Sequence, residues 1–318
     1  MSAEIGLEAA LRLACHSNVV TYILSLSAVI QIEHTGATEM KKIVVTGGKG
    51  GAGTGIVAVL KDRGYDVLSI DLLPQALGDV DYKQIDLRDA AGVNDAFAGA
   101  DGVIHFGSVP GDTWLSTTEA FHNVAVAGFN VFQAAHNVGI RRVAWASSIE
   151  VYGDLREHAT LPITEESPQG PPGIYGASKV LLESLARDYC RWHNMAIAGF
   201  RLTRIIYDSV YGKERMQRWS GDDALGYDCM WSYVDARDVA TASLAWLESD
   251  RQGAEVYNIG CDNVHSETPT AELLERHGFA GKEVTREHGE YETLFSSAKL
   301  KAHLGWQAEH DWRDILAE

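Results

Sequence analysis

Ile43-Val44-Val45-Thr46-Gly47-Gly48-Lys49-Gly50-Gly51-Ala52-Gly53 is a short β-branched run that stops in a dense cluster of glycines, and apolar residues at helical spacing follow from Ile56 to Lys61. The order is strand, glycine turn, helix. Gly47, Gly50 and Gly53 stand in the pattern Gly-x-x-Gly-x-x-Gly, one residue longer between its first two glycines than the dinucleotide fingerprint Gly-x-Gly-x-x-Gly. Bare backbone at such a turn lets a pyrophosphate approach the amides at the positive end of a helix dipole. Gly47, Gly50 and Gly53 are therefore candidate cofactor-binding residues; a glycine-rich turn without a ligand is the plain alternative.

Outward from this turn the chain alternates strand and helix. Apolar strands are expected at Asp66 to Ile70, ending at Asp71, at Tyr82 to Ile85, ending at Asp86, and at Gly102 to Phe106. A long helix is expected from about Thr118 to Asn137, a strand at Arg142 to Ala146, a helix from Tyr175 to His193 and strands at Ala196 to Leu202 and Val256 to Ile259. Strands buried on both faces with helices between them make a parallel sheet. The expected fold is α/β, a doubly wound parallel Rossmann sheet with a smaller C-terminal substrate-binding lobe. Residues 40–202 and about 231–262 would form the Rossmann domain, and residues 203–230 and 263–318 the lobe, over the carboxyl ends of the strands. Pro162 to Gly173 reads as a surface loop and Tyr207 to Met230 as polar and irregular. Residues 1–39 read as an appendage to a domain that starts at Met40. Their apolar stretch, Val19 to Ile32, falls short of the roughly 20 residues a spanning helix needs, and Glu4 and Glu8 do not suit a secretory leader.

Asp71 lies 24 positions after Gly47 at the end of the second strand, near the spacing of about 20 at which an acidic residue grasps ribose hydroxyls. It would repel a 2′-phosphate, which favours NAD over NADP, unless it merely begins a loop. Asp86 and the adjoining Leu87 are candidates for the adenine end of the site, with a helix N-cap the alternative for Asp86. Tyr175 and Lys179 stand four apart at the start of a helix and project from one face. A phenol with an ordinary pKa of about 10 serves as a base at neutral pH only if a cation stabilises its phenolate, the role open to Lys179. Ser147 and Ser148 close the fifth strand, and Ser148 is the candidate to hydrogen-bond the reacting oxygen.

Thr46 to Gly53, Asp71, Ile104-His105-Phe106, Asn123, Ser148-Ile149-Glu150-Val151-Tyr152-Gly153, Tyr175 to Lys179 and Tyr257-Asn258-Ile259-Gly260 together carry a resemblance. From Met40 to its end the chain is similar to an extended short-chain dehydrogenase/reductase of the nucleotide-sugar epimerase/dehydratase superfamily. The resemblance implies that Tyr175 is the acid/base, that Lys179 holds the nicotinamide ribose, that Ser148 orients the substrate oxygen and that Asn123 faces the cofactor. Two departures bear on the substrate. Dehydratases of the superfamily carry Thr-Asp-Glu before Val-Tyr-Gly, whereas Ser148-Ile149-Glu150 lacks the aspartate that protonates a leaving hydroxyl, which disfavours dehydration. Glu150 matches an acidic position of some relatives, or is a solvent-facing residue at a strand end. The epimerases usually place an Asn in the segment after the sixth strand, and Arg201 to Gly212 contains none. Arg201 or Arg204 could instead meet a carboxylate or phosphate, or serve as a structural ion-pair partner.

The chain's bulk properties exclude other classes. A net charge of -17 from 27 basic and 44 acidic residues repels nucleic acid. Cys15, Cys190, Cys229 and Cys261 form no C-x-x-C pair and twelve histidines show no ligand spacing, so no metal is expected and the cysteines read as reduced, in a cytoplasmic protein away from membranes. The leading expectation is an NAD-dependent oxidoreductase acting on a hydroxyl of a sugar or sugar-like substrate. A nucleotide-sugar 4-epimerase with retained cofactor is the alternative, and a non-catalytic NAD-sensing regulator the second. A homodimer is expected, with Phe121, Val124, Phe129 and Phe132 available as an apolar helix face unless they pack on the sheet.

Overall fold

The computed structural model describes residues 40–74, 81–111, 115–207 and 210–317; the expected appendage, residues 1–39, lies outside them. β1 (Lys42–Thr46), β2 (Asp66–Asp71), β3 (Asp81–Gln84), β4 (Gly102–His105) and β5 (Arg142–Ala146) are joined in one parallel sheet by the later β7 (Ala196–Leu202) and β10 (Gly253–Ile259), in the order β10-β7-β5-β4-β1-β2-β3. Ile43, Val44 and Val45 are fully buried, as are Val103, Ile104, Val143 and Ala144, so the central strands are apolar on both faces. The outermost β3, with the sequence Asp-Tyr-Lys-Gln, is polar, as suits a sheet edge. The chain winds outward from β1 to β3 and then returns to β4, so β1 and β4 flank the topological switch point where such sheets bind ligands.

α1 (Gly51–Asp62) packs with α7 (Ala236–Glu248) on one face, and α2 (Ala90–Phe97), α4 (Ala127–Asn137) and α5 (Ile174–His193) pack on the other. The long helix expected from Thr118 is present but not uniform: α3 (Thr117–Phe121) runs through a π turn, His122–Val126, into α4. A capping box at Ser116 and Glu119 starts it. Val124 and Phe132 are buried while Phe121 and Phe129 are 37% and 43% exposed, so the four apolar residues read as one face divide between core and surface.

Two local expectations are corrected. The N-cap of α2 is Asp89, whose carboxylate accepts from the Gly92 amide; Asp86 instead pairs with Arg88 at 2.5 Å. The segment read as polar and irregular contains α6 (Val210–Ser220). Its described side chains bury Met216 and Trp219, one turn apart, against Ile206, Tyr233, Trp312 and Ile315, a stripe too thin to declare a helix in the sequence.

The lobe over the strand ends is built from the short pairs β6 (Thr160–Leu161) with β11 (Glu283–Val284) and β8 (Arg204–Ile206) with β9 (Tyr233–Asp235), and from α6, α8 (Thr270–Arg276), α9 (Ala298–Leu304) and α10 (Trp312–Ala317). Its apolar core joins Val264, Leu273, Leu294 and Phe295 to Val151, Tyr152, Leu161 and Ile163. The loop expected at the surface from Pro162 thus buries Ile163, whose amide donates to the Leu294 carbonyl.

Arg201 is the charged centre of this junction. It is 3% exposed at the end of β7 and forks onto Glu183 of α5, with its Nε and Nη2 donating to separate carboxylate oxygens at 2.9 and 2.7 Å. Its Nη1 donates to the Tyr152 hydroxyl and to the Glu165 carbonyl. Of the two roles open to Arg201, the structural ion pair is the one observed. Arg201→Met would leave the Glu183 carboxylate buried without its cation, and should cost about 3–5 kcal/mol in urea unfolding at neutral pH. A loss under about 1 kcal/mol, the level of an exposed pair, would show that the pair does not hold the junction together.

Candidate active site

Gly47 begins the turn after β1 with φ +73°, a left-handed conformation that costs glycine nothing. A Cβ there would stand 2.5 Å from the Phe106 carbonyl oxygen, so the turn is pressed against the end of β4. Gly53 is tighter still, because its Cβ would meet the Gly47 carbonyl oxygen at 2.0 Å, whereas one on Gly50 would meet that oxygen at 3.2 Å. α1 starts at Gly51 with neither a side-chain cap nor an acidic residue in its first turn. Its first amides and the positive end of its dipole are therefore placed to receive an anion. Gly47, Gly50, Ala52 and Gly53 all open onto one cavity of about 730 Å³.

Asp71 accepts from the Lys49 amide of this turn at 2.9 Å and from the Leu73 amide at 3.1 Å, which fixes its carboxylate at the rim of the turn. With a bare turn beside it and an acid at the ribose distance, the residues fit NAD. Asp71, Asp86, Leu87, Asn123 and Lys179 lie outside the cavity lining. The Leu87 carbonyl accepts from Asn130, and one Leu87 methyl covers Gly107. Asn123 sits in the π turn and its Oδ1 accepts from the Val109 amide at 2.6 Å, fixing the loop after β4.

Tyr175 and Lys179 rise from the first turns of α5. Lys179 is 1% exposed, its Nζ lies 5.2 Å from the Tyr175 ring centroid, and it donates to the Ala146 carbonyl at 2.7 Å and to Ser108 Oγ at 3.1 Å. Burial pushes its ammonium down to about 7, with the Glu150 carboxylate opposing the shift. His105, bonded to Thr46 Oγ1 through Nδ1, is pushed down to about 3 by burial and then by the Lys179 charge, so it stays neutral. The adjacent serines both line the cavity and differ in what their hydroxyls do: Ser147 donates to Glu183 at 2.7 Å, while Ser148 accepts from the Glu150 amide at 3.1 Å, which leaves its own O–H to donate elsewhere.

Glu150 also lines the cavity, from the short 3-10 turn Ile149–Tyr152, so it does not face open solvent. Beyond Tyr175 the wall carries Arg204, Arg215, Tyr207, Tyr227 and Asp228. Arg204 pairs with Asp228 at 2.7 Å and lies over the Trp219 ring, as does Arg215. Sequence reasoning missed Ser108, Tyr207, Arg215 and Tyr227, which have no spacing relation to the motifs and reach the cavity through the lobe or a strand-end loop.

The model of the NAD dependent epimerase/dehydratase family matches residues 43–223. The chain is 27% identical to the UDP-glucose 4-epimerase of Corynebacterium glutamicum, over 87% of this chain and 94% of that one. It is 24% identical to UDP-arabinose 4-epimerase 1 of Arabidopsis thaliana, over 84% and 75% respectively. Its fold is that of the UDP-glucose 4-epimerase from Bifidobacterium longum solved with NAD+ and UDP, with a TM-score of 0.65 at 22% identity, covering 87% of this chain and 96% of that chain.

Gly53→Ala must shift backbone and should weaken NAD binding by about tenfold, roughly 1.4 kcal/mol, while Gly50→Ala should do less; calorimetric titration of both variants checks this, and equal losses would reject close packing as the cause. Between the folded value of about 7 and the ordinary 10.5 for Lys179, the unfolded chain binds a proton that the folded chain does not. Stability therefore rises with pH across that window and is lost as pH falls towards its lower end. Cofactor-free protein should gain stability relative to Lys179→Met from the lower to the upper end, read from urea unfolding at both; a constant difference would mean an ordinary lysine.

Proposed function

We propose that this chain, which belongs to the NAD dependent epimerase/dehydratase family, is a nucleotide-sugar 4-epimerase that oxidises and re-reduces one ring carbon through Ser148, Tyr175 and Lys179. The observation that carries the reading is the shared cavity. Tyr175 and Ser148 line it together with the glycine turn and with a wall bearing Arg204 and Arg215, cations suited to a diphosphate. Curated relatives that act on UDP-glucose and UDP-arabinose support the same choice.

Bound at the glycine turn, NAD would supply the hydride acceptor for oxidation of the sugar carbon and the hydride donor for its reduction. The chain's own residues handle the proton and the geometry. Tyr175 takes the hydroxyl proton as the carbon is oxidised and gives it back on reduction. Lys179, buried against its ring, supplies the charge that stabilises the phenolate, and the Ala146 carbonyl and Ser108 hold the ammonium in place. Neutral His105 adds no competing cation. Ser148, already accepting from the Glu150 amide, donates its O–H to the substrate oxygen and orients it.

The dehydrogenase of a free sugar or sugar acid, the first expectation from the sequence, becomes the second reading. What favours it is Arg204, standing in the segment after β7 that lacks the Asn expected of an epimerase; a guanidinium there suits a carboxylate as well as a phosphate. We further propose a cytoplasmic homodimer, supported by Phe121, Phe129, Leu181 and Trp192, all large, apolar and exposed on α3, α4 and α5.

Gel filtration of the purified protein, followed by denaturation and assay of the released NAD, tests both proposals. An epimerase should retain NAD, form no net NADH and convert UDP-glucose to UDP-galactose; an empty site with NADH formed from a free sugar or sugar acid would select the dehydrogenase. Elution at twice 34.7 kDa is expected, and elution at 34.7 kDa would reject the dimer. Tyr175→Phe should abolish turnover while sparing cofactor binding, and retained turnover would overturn the assignment of the base.

A further inference from the structure

Tyr207 follows β8, in the lobe, yet its ring rests on the glycine turn. A Cβ built on Gly51 would stand 2.4, 2.5 and 2.6 Å from the Tyr207 carbons Cε1, Cζ and Cδ1, so the ring lies flush against the first residue of α1. It is half-buried and shares the cavity wall with Gly47, Gly50, Ala52 and Gly53, the residues that open the anion-receiving end of that helix. The side chain thus stands beside the turn whose amides are open to an anion, and it is carried by the segment that also brings Arg204 and Arg215 to the same cavity.

We infer that Tyr207 is a cofactor-retaining residue: its ring, laid over Gly51, covers the pyrophosphate cradle and slows release of NAD. The inference rests on cofactor binding alone and is independent of which sugar is oxidised. An aromatic face closing one side of a ligand acts on escape more than on encounter, so the effect belongs to the dissociation rate. The ring carbons make the contact with Gly51, and the hydroxyl is dispensable for it.

Stopped-flow fluorescence, with NADH-loaded protein mixed with excess NAD, reads that rate directly. Tyr207→Ala should release NADH about tenfold faster, equivalent to roughly 1.4 kcal/mol, and Tyr207→Phe should match the unaltered protein. Gly51→Ala, which pushes the ring away, should speed release in the unaltered protein and add little in the Tyr207→Ala background. Release within about twofold of the unaltered protein in Tyr207→Ala, or fully additive effects of the two substitutions, would overturn the inference. So would faster NADH association at an unchanged release rate, which would make the ring an obstruction. Failure of the unaltered protein to bind NADH would remove the cofactor reading itself, a result distinct from any of these.

Discussion

A guanidinium and a carboxylate held out of water decide how the two halves of the site meet. Arg201 closes β7 and Glu183 lies one turn beyond Lys179 on α5, so their bidentate pair locks the helix that carries Tyr175 and Lys179 to the end of the sheet. The remaining lone pairs of Glu183 accept from Ser147 and Gln169, and the remaining amine of Arg201 meets Tyr152, whose hydroxyl donates to Asn258. Burying two charges is favourable only when such partners are supplied. Here they come from the residue after β5, the 3-10 turn that ends at Tyr152, β10 and the loop before α5, which anchors Ser147, and Ser148 beside it, at the wall of Tyr175's cavity.

The electrostatics of the cavity follow from this frame. On one side a bare glycine turn and an uncapped helix start favour an anion, with the Asp71 carboxylate bonded to the Lys49 amide of the turn. On the other, Arg204 and Arg215 stack on Trp219 and face the cavity from the lobe. Lys179 lies between in chain connectivity and in chemistry, a buried cation whose pKa is lowered towards neutrality while neighbouring His105 is kept uncharged. The chain's overall negative charge therefore coexists with a cavity whose wall carries Arg156, Arg204 and Arg215 beside Glu150, Asp154 and Asp228, and at short range these groups and the oriented amides of the turn set the local field.

Much of the sheet was legible in the residues. The strands β1, β5 and β7 were bounded to within a residue, since strands buried on both faces leave a largely apolar signature. The errors share a cause. α6 carries too few apolar residues to show a period, Phe121 and Phe129 lie at the surface while Val124 and Phe132 are in the core, and Asp86 was weighed as a cap that Asp89 supplies. Each depends on which neighbour a side chain meets, and local spacing carries no record of that. Ser147 and Ser148 make the same point at closer quarters: adjacent residues of one type at the same cavity wall, one hydroxyl donating into the ion-pair network and the other accepting from the Glu150 amide.

By itself the sequence determined the parallel α/β order, the glycine turn with its acid at the second strand's end, and the Tyr175/Lys179 pair on one helix face. These are set by short-range sterics and by the periodicity of strand and helix, which a single chain segment expresses on its own. Only the tertiary structure decided that Arg201 is structural, that Glu150 faces the cavity, that Arg204 and Arg215 line it, and that the Tyr207 ring lies on Gly51 of the glycine turn. Those assignments depend on the lobe folding back over the strand ends, bringing together residues whose separation along the chain bears no relation to their separation in space.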